Sequence, residues 1–249
     1  MGKLPIAPIR IGNWFQGPRG SGQGGFTAQR FADAVTARIG EAVTVAIKAP
    51  IPLETDLDVV QRGADWHLID PSNPDDDTIL IATSWSPNVP DTAAVNVVDA
   101  AIAGAGFPLR DDHPVPVCFS CGLEPDSMHV MCGPLPDGRY ASDWTVPHWA
   151  IGDHGQVDSG ALWAAIDCAQ AWYVGLAGGR RHGVTVQIAV DEIAPINAGT
   201  YSLVSWHGDY PAGWDGRKRG ACGAVFDADG TCVAKSRTFW IAIDEPERA

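Results

Sequence analysis

The chain has 249 residues, 45% of them hydrophobic and 19% charged, with a formal net charge of -13. That composition supports a sizeable core and excludes disorder as the default, and the acidic balance argues against a general nucleic-acid binder, which needs a basic surface facing phosphates. No apolar run is long enough to span a membrane, the N-terminus has neither a signal-peptide core nor a myristoylation pattern, and six cysteines are too few for a disulfide scaffold; the expectation is a cytoplasmic protein with reduced thiols.

A short apolar stretch near Ile9–Phe15 leads into a glycine-rich turn, GPRGSGQGG at 17–25. A helix follows: Ala28, Phe31, Ala32, Val35 and Ile39 recur at the helical period, and Gly40 can stop it. Asp33 lies off the apolar stripe, close to Arg30, and reads as a solvated charge. Alternation predicts a strand at 43–48, with further strands at 57–62, 66–69 and 78–85 and a turn at 71–77. Residues 95–105 read as a short helix of small residues. A Pro- and Asp-rich linker follows, reaching through the cysteine segment CFSCGLEPDSMHVMC.

The remainder repeats this order. A strand at 140–146 precedes a helix at 158–173, started by Asp158 or Ser159. Strands then follow at 184–190, 201–206, 219–226 and 232–241, the last two joined by a hairpin turn at 227–230. Ala-Pro-Ile occurs at 49–51 and again at 194–196, each time after an alternating Val/Ile strand, and each half closes near a tryptophan, Trp85 and Trp240. These echoes suggest a duplication, with all strands antiparallel in one continuous sheet system and both long helices on the same side of it.

Three features could carry chemistry. Cys118, Cys121, His129 and Cys132 fall close enough to suggest a zinc site, but the His–Cys spacing is tighter than in common fingers, and the expectation is no metal. The glycine turn matches neither a P-loop nor a dinucleotide fingerprint; what it offers is backbone N–H groups at the positive end of a helix, suited to a developing oxyanion. Helix 158–173 is apolar nearly all round, yet Asp167 sits in its middle. An unpaired buried carboxylate is costly, so Asp167 either faces a cavity as a general base or nucleophile, its pKa raised by desolvation, or is paired with a buried donor.

On GPRGSGQGGFTAQRF (17–31), CFSCG (118–122), GPLPDGR (133–139) and ALWAAIDCAQAWY (161–173), the chain resembles the hotdog-fold thioesterase superfamily, in the fused double-hotdog form of actinobacterial type. The resemblance implies an α+β double hotdog with two long central helices wrapped by antiparallel sheets: one half at 1–112, a cysteine-containing linker at 113–137 and a second half at 138–249. It implies hydrolysis of an acyl thioester of coenzyme A or acyl carrier protein, without a cofactor, and a possible homo-oligomer. In the family an acidic residue seven positions after a helix-start glycine acts with a glycine N–H of the partner unit. Gly160 plus seven is Asp167, whereas Gly25 plus seven is Ala32, so one site, Gly25 with Asp167, is expected to work and the other, Gly160 with Ala32, to be dead.

The residues before Gly160 are Asp158 and Ser159, where many members have His-Gly-Gly. Gln23, Gly24, Thr27, Ser159 and Gly160 are the expected substrate contacts. Trp163, Trp172 and Phe26 could line an acyl tunnel, and Arg180–Arg181 and Arg217–Arg219 are the candidate partners of coenzyme A phosphates, although core packing and solvated charge are the plainer readings of each. Two alternatives stay open. One is a hydratase or dehydratase using Asp153-His154; the other is an acyl thioester binder that has lost turnover.

Overall fold

The computed structural model describes residues 6–39, 42–73, 77–84, 88–152, 154–177, 183–207 and 218–242. The first portion forms β1 (Ile9–Arg10), α1 (Gly24–Ile39), β2 (Val43–Ile47), β3 (Asp56–Arg62), β4 (Asp65–Ile69) and β5 (Thr78–Ser84). Then come α2 (Val97–Ala105), β6 (Gly133–Pro134), β7 (Tyr140–Thr145), α3 (Ser159–Ala177), β8 (Gly183–Glu192), β9 (Thr200–Trp206), β10 (Lys218–Phe226) and β11 (Cys232–Ala242). The anticipated elements are all present, and α3 runs four residues beyond its expected end. Gly40, Trp85 and Asp153, together with Arg180, Arg181 and Arg217, lie outside the described residues.

Among the described residues all strands join one sheet in the order β1-β3-β4-β5-β2-β8-β11-β10-β9-β7-β6, and every pairing is antiparallel. The strands of the first portion occupy one end and those of the second the other. They meet at β2 and β8, where Val45 stands opposite Ile188 and Ala46 opposite Gln187. A continuous antiparallel sheet is therefore what the alternating Val/Ile segments build.

The central strands are covered on both faces, and the period of two shows how. Leu203 of β9, Val225 of β10 and Ala234 of β11 belong to the main core with α3. Their neighbours Val204, Ala224 and Phe226 pack instead with Ala100 and Ala103 of α2. Thus α2, capped by the Asn96 side chain, covers the opposite face of the sheet from α3. Small residues let the two helices approach the strands: a Cβ at Gly104 would lie 3.2 Å from Ser142 Cβ, and one at Gly223 would lie 2.8 Å from Gln170 Nε2.

α1 buries its predicted stripe of Ala28, Phe31, Ala32 and Val35, while Asp33 is exposed. α3 is buried almost throughout, with Gln170 donating to Ser236 Oγ at 2.8 Å. The two helices touch at their glycine-rich and Trp163 turns, where a Cβ on Gly25 would stand 2.4 Å from the Trp163 carbonyl oxygen. The cysteine segment does not run outside the body: Cys118, Phe119, Cys121, Val130, Met131 and Cys132 are part of the main core.

Candidate active site

The turn before α1 folds back on itself. The Gly17 N–H donates to the Ser21 carbonyl, and the Gln23 N–H donates to that of Phe15. Gln23 then caps the helix, because its Oε1 accepts from the Phe26 N–H at 2.7 Å and its main-chain carbonyl accepts from the Thr27 N–H. The Gln23 amide is thereby turned so that Nε2 donates to Asp167 Oδ2 at 2.9 Å. The Gly25 N–H donates to the same oxygen at 3.0 Å, and the Thr185 hydroxyl of β8 donates to Oδ1 at 2.9 Å.

Asp167 is thus not an unpaired charge, and the Gly25 N–H is bonded to it directly rather than standing across a gap. Only 1% of Asp167 is exposed. Burial, with a smaller push from negative charge on the nearby Cys118 sulfur, raises its pKa to about 7 against the opposing pull of Thr185, the Gly25 N–H and Gln23. Desolvation wins because none of the three donors carries a formal charge. A carboxylate offers about four lone-pair positions and three are filled, which leaves one for a water or a substrate group.

A cavity of about 430 Å³ reaches the edge of this carboxylate. Gln23, Gly24, Asp167, Thr185 and Trp172 line it, and Arg19 and Lys48, both exposed, stand among its lining residues. Gly24 is the first residue of α1, so its N–H precedes the helical hydrogen-bond ladder. The neighbouring amides of Gly22, Gln23, Gly25 and Phe26 are all bonded, to Ile51 O, Phe15 O, Asp167 and Gln23 Oε1 respectively.

Of the expected contacts, Gln23 and Gly24 share the cavity with Asp167. Thr27 turns away, its hydroxyl donating to the Gln23 carbonyl at 2.9 Å. Ser159 donates to Glu192 Oε2 at 2.8 Å, and the Gly160 N–H is taken by Asp158 Oδ1 at 2.7 Å, with a Phe26 ring edge against it. Trp172 lines the cavity; Trp163 instead donates to Glu192, and Phe26 stacks on Phe15. Arg219 is buried and donates to the Val174 carbonyl, so it does not present a surface charge to a phosphate.

The cysteines group differently from their spacing. Cys118 and Cys121 converge with Cys168 of α3, and these three sulfurs lie within 4.8 Å of one another. His129 faces the Gly122 carbonyl, and Cys132 Sγ lies 3.3 Å from Ser142 Oγ. Cys118 is held well below the ordinary thiol range by hydrogen bonds from Cys121 and Cys168 and from the Cys121 and Ser120 backbone N–H groups. Cys121 and Cys168 are correspondingly pushed up, each mainly by its bond to Cys118.

The chain superposes on a protein from Novosphingobium aromaticivorans, provisionally named a thioesterase, with a TM-score of 0.58 and 12% identity over 97% of this chain and 98% of that one. The likeness is one of fold: in fold the chain resembles the hotdog-fold thioesterases. Two shorter matches are a thioesterase from Haemophilus influenzae (TM-score 0.41, 12% identity, 47% of this chain and 80% of that one) and an acyl-CoA hydrolase from Staphylococcus aureus (TM-score 0.38, 19% identity, 43% and 66%). No family model matches the sequence, and no curated protein matches it.

Two residues lining the cavity beside Asp167 were not legible beforehand. Cys168 stands next to it in sequence, but local ligand spacing draws attention to 118–132 alone. Thr185 is hidden by an irregularity in the β8–β11 register: Phe239 pairs with Gln187 but Trp240 with Thr185, skipping Val186. That bulge turns Thr185 inward, where strict alternation with Ile188 would have placed Val186.

Proposed function

We propose that the chain hydrolyses an acyl thioester, of coenzyme A or of an acyl carrier protein. Its two halves, 1–112 and 138–249 with 113–137 between them, are read as fused hotdog units forming a double hotdog around α1 and α3. The observation that carries the reading is the buried Asp167 carboxylate, with a pKa near 7, at the wall of a cavity beside the start of α1.

A general base serves best when its pKa lies near the working pH, and burial supplies that here. Asp167 takes the proton of a water at its fourth lone-pair position while the water oxygen attacks the thioester carbonyl. The carbonyl becomes an oxyanion at the positive end of α1, where the Gly24 N–H is the donor best placed to receive it. Collapse expels the thiolate, which takes the proton from Asp167. Direct attack by Asp167 through an anhydride uses the same groups. Gly25 holds and orients the carboxylate rather than the substrate. Arg19 and Lys48, at the cavity wall, suit the phosphates of a coenzyme A moiety.

The test is thiol release from acyl-coenzyme A substrates of graded chain length. Asp167→Asn should lower turnover by roughly 10²-fold or more, the scale of losing a positioned base. Changing Ala32 or Asp33 should leave the rate alone. Normal turnover by Asp167→Asn would remove the catalytic assignment. Tight binding without turnover by the native protein would make the chain an acyl thioester binder.

A further inference from the structure

The cluster of Cys118, Cys121 and Cys168 is not used by the hydrolysis described above. All three are buried and unoxidised, and all three line the same cavity as Asp167. They come from two segments fixed to each other. The 118–121 turn is closed by the Gly122 N–H donating to the Cys118 carbonyl at 2.7 Å, and the Ser120 hydroxyl ties it to the Ala164 carbonyl of α3, one helical turn before Cys168. Position 122 admits only glycine, since a Cβ would stand 2.3 Å from the Cys118 oxygen and 2.5 Å from that of Pro116.

Ser120 and Cys121 lie in this turn, and their backbone N–H groups help hold Cys118 below the ordinary thiol range. The geometry of the three sulfurs is what a metal needs. Cys118 and Cys168 sulfurs are 4.0 Å apart. Tetrahedral Zn–S bonds of about 2.3 Å set sulfurs a little under 4 Å apart, so the three converge with only a slight inward adjustment. His129 and Cys132 are directed elsewhere, so the fourth direction is left to the cavity.

We propose that Cys118, Cys121 and Cys168 form a binding site for one soft divalent cation of the zinc class, with its fourth coordination position open to the cavity. The set differs from the one suggested by sequence spacing. Three protein ligands and one open position is the arrangement of a zinc ion that exchanges its fourth ligand. A free thiol entering the cavity is a chemically suited fourth ligand, because thiolate is soft. The site does not depend on the thioester reading: it binds metal whether or not the chain turns substrate over.

The experiment is titration of the reduced full-length protein with Co²⁺, followed by its thiolate charge-transfer and tetrahedral ligand-field bands. Saturation at one ion per chain is expected, with displacement by Zn²⁺. Cys121→Ser should lose the charge-transfer band, whereas Cys232→Ser should bind as the native protein does. Should Cys121→Ser fail to fold, zinc-edge X-ray absorption of the native protein decides, with three sulfurs expected in the coordination shell. Adding mercaptoethanol to the cobalt form should shift the ligand-field bands as the fourth position changes. No saturable binding, a shell of nitrogen and oxygen only, or binding unchanged in folded Cys121→Ser would overturn the site. Unmoved bands on adding thiol would overturn its open position. None of these results bears on Asp167→Asn turnover, so the two readings fail separately.

Discussion

Burial of Asp167 has a sign that can be followed in both rate and stability. The folded protein holds the proton up to about pH 7, while the unfolded chain releases it in the ordinary carboxylate range. Between those pH values the folded state binds more protons, so this residue's contribution is fully present below about pH 4 and is lost as pH rises through 7. The loss is on the order of 4 kcal/mol by linkage. Asparagine fits the same space: its oxygen can face the Gln23 and Gly25 donors while its amide faces the Thr185 hydroxyl. Asp167→Asn should therefore match the native protein in stability near pH 4 and exceed it at pH 8, measured by denaturant midpoints with a chelator present. A gap that does not grow with pH would mean that Asp167 is not desolvated in solution. Under the same chelated conditions, the rate of thioester hydrolysis should rise with pH to a plateau with its midpoint near 7, because the base must be ionised.

At the scale of the elements, the approach of α1 to α3 rests on one missing side chain. A Cβ on Gly25 would meet the Trp163 carbonyl at 2.4 Å and Asp167 Cβ at 2.8 Å, atoms that cannot rotate away. Gly24 is more tolerant, with its nearest neighbour the Ile47 Cδ1 tip at 3.1 Å. Gly25→Ala should thus destabilise the fold by about 1–3 kcal/mol, the scale of overpacking, and Gly24→Ala by clearly less. Thermal melts of the two variants check this. Gly24→Pro carries the same Cβ as Gly24→Ala and replaces the N–H with a ring carbon, at a helix position where proline is well tolerated; it should melt close to Gly24→Ala but turn over more slowly, and turnover equal to that of Gly24→Ala would reassign the oxyanion donor. The elements themselves were largely legible, since the apolar stripe of α1 and the nearly all-round apolar surface of α3 set their burial. The position of Asp167 was legible for the same reason, as the lone acid on that helix. What alternation could not reveal was the bulge that presents Thr185, the fold-back that brings the 118–121 turn onto α3, and the attachment of α2 to the far face of the sheet. Each depends on contacts between segments distant in sequence, and a local period carries no record of them.

At the scale of the whole molecule, both ends of the sheet depend on the β2–β8 pairing. The candidate site spans the same division, with Gln23, Gly24 and Gly25 from the first portion and Asp167 and Thr185 from the second. The main core likewise mixes Phe31, Val45 and Leu80 with Phe119, Ile166 and Leu203. Two units sharing one core and one ladder should unfold together, as independently cored domains need not. Val45 is fully buried and stands in the ladder opposite Ile188, so truncation there strikes the junction itself. Val45→Ala should cost about 2 kcal/mol, the scale of a buried valine side chain. Native-state hydrogen exchange can read that cost at two distant places, the β3–β4 hairpin in the first portion and the β10–β11 hairpin in the second. If the molecule is one cooperative unit, protection at both hairpins should fall by the same factor, roughly 30-fold for that energy. A fall confined to the β3–β4 hairpin would show that the halves are independently stable and merely abut. Loss of thioester hydrolysis should then track the first hairpin alone, because Asp167 would remain in place while the glycine turn that holds it came free.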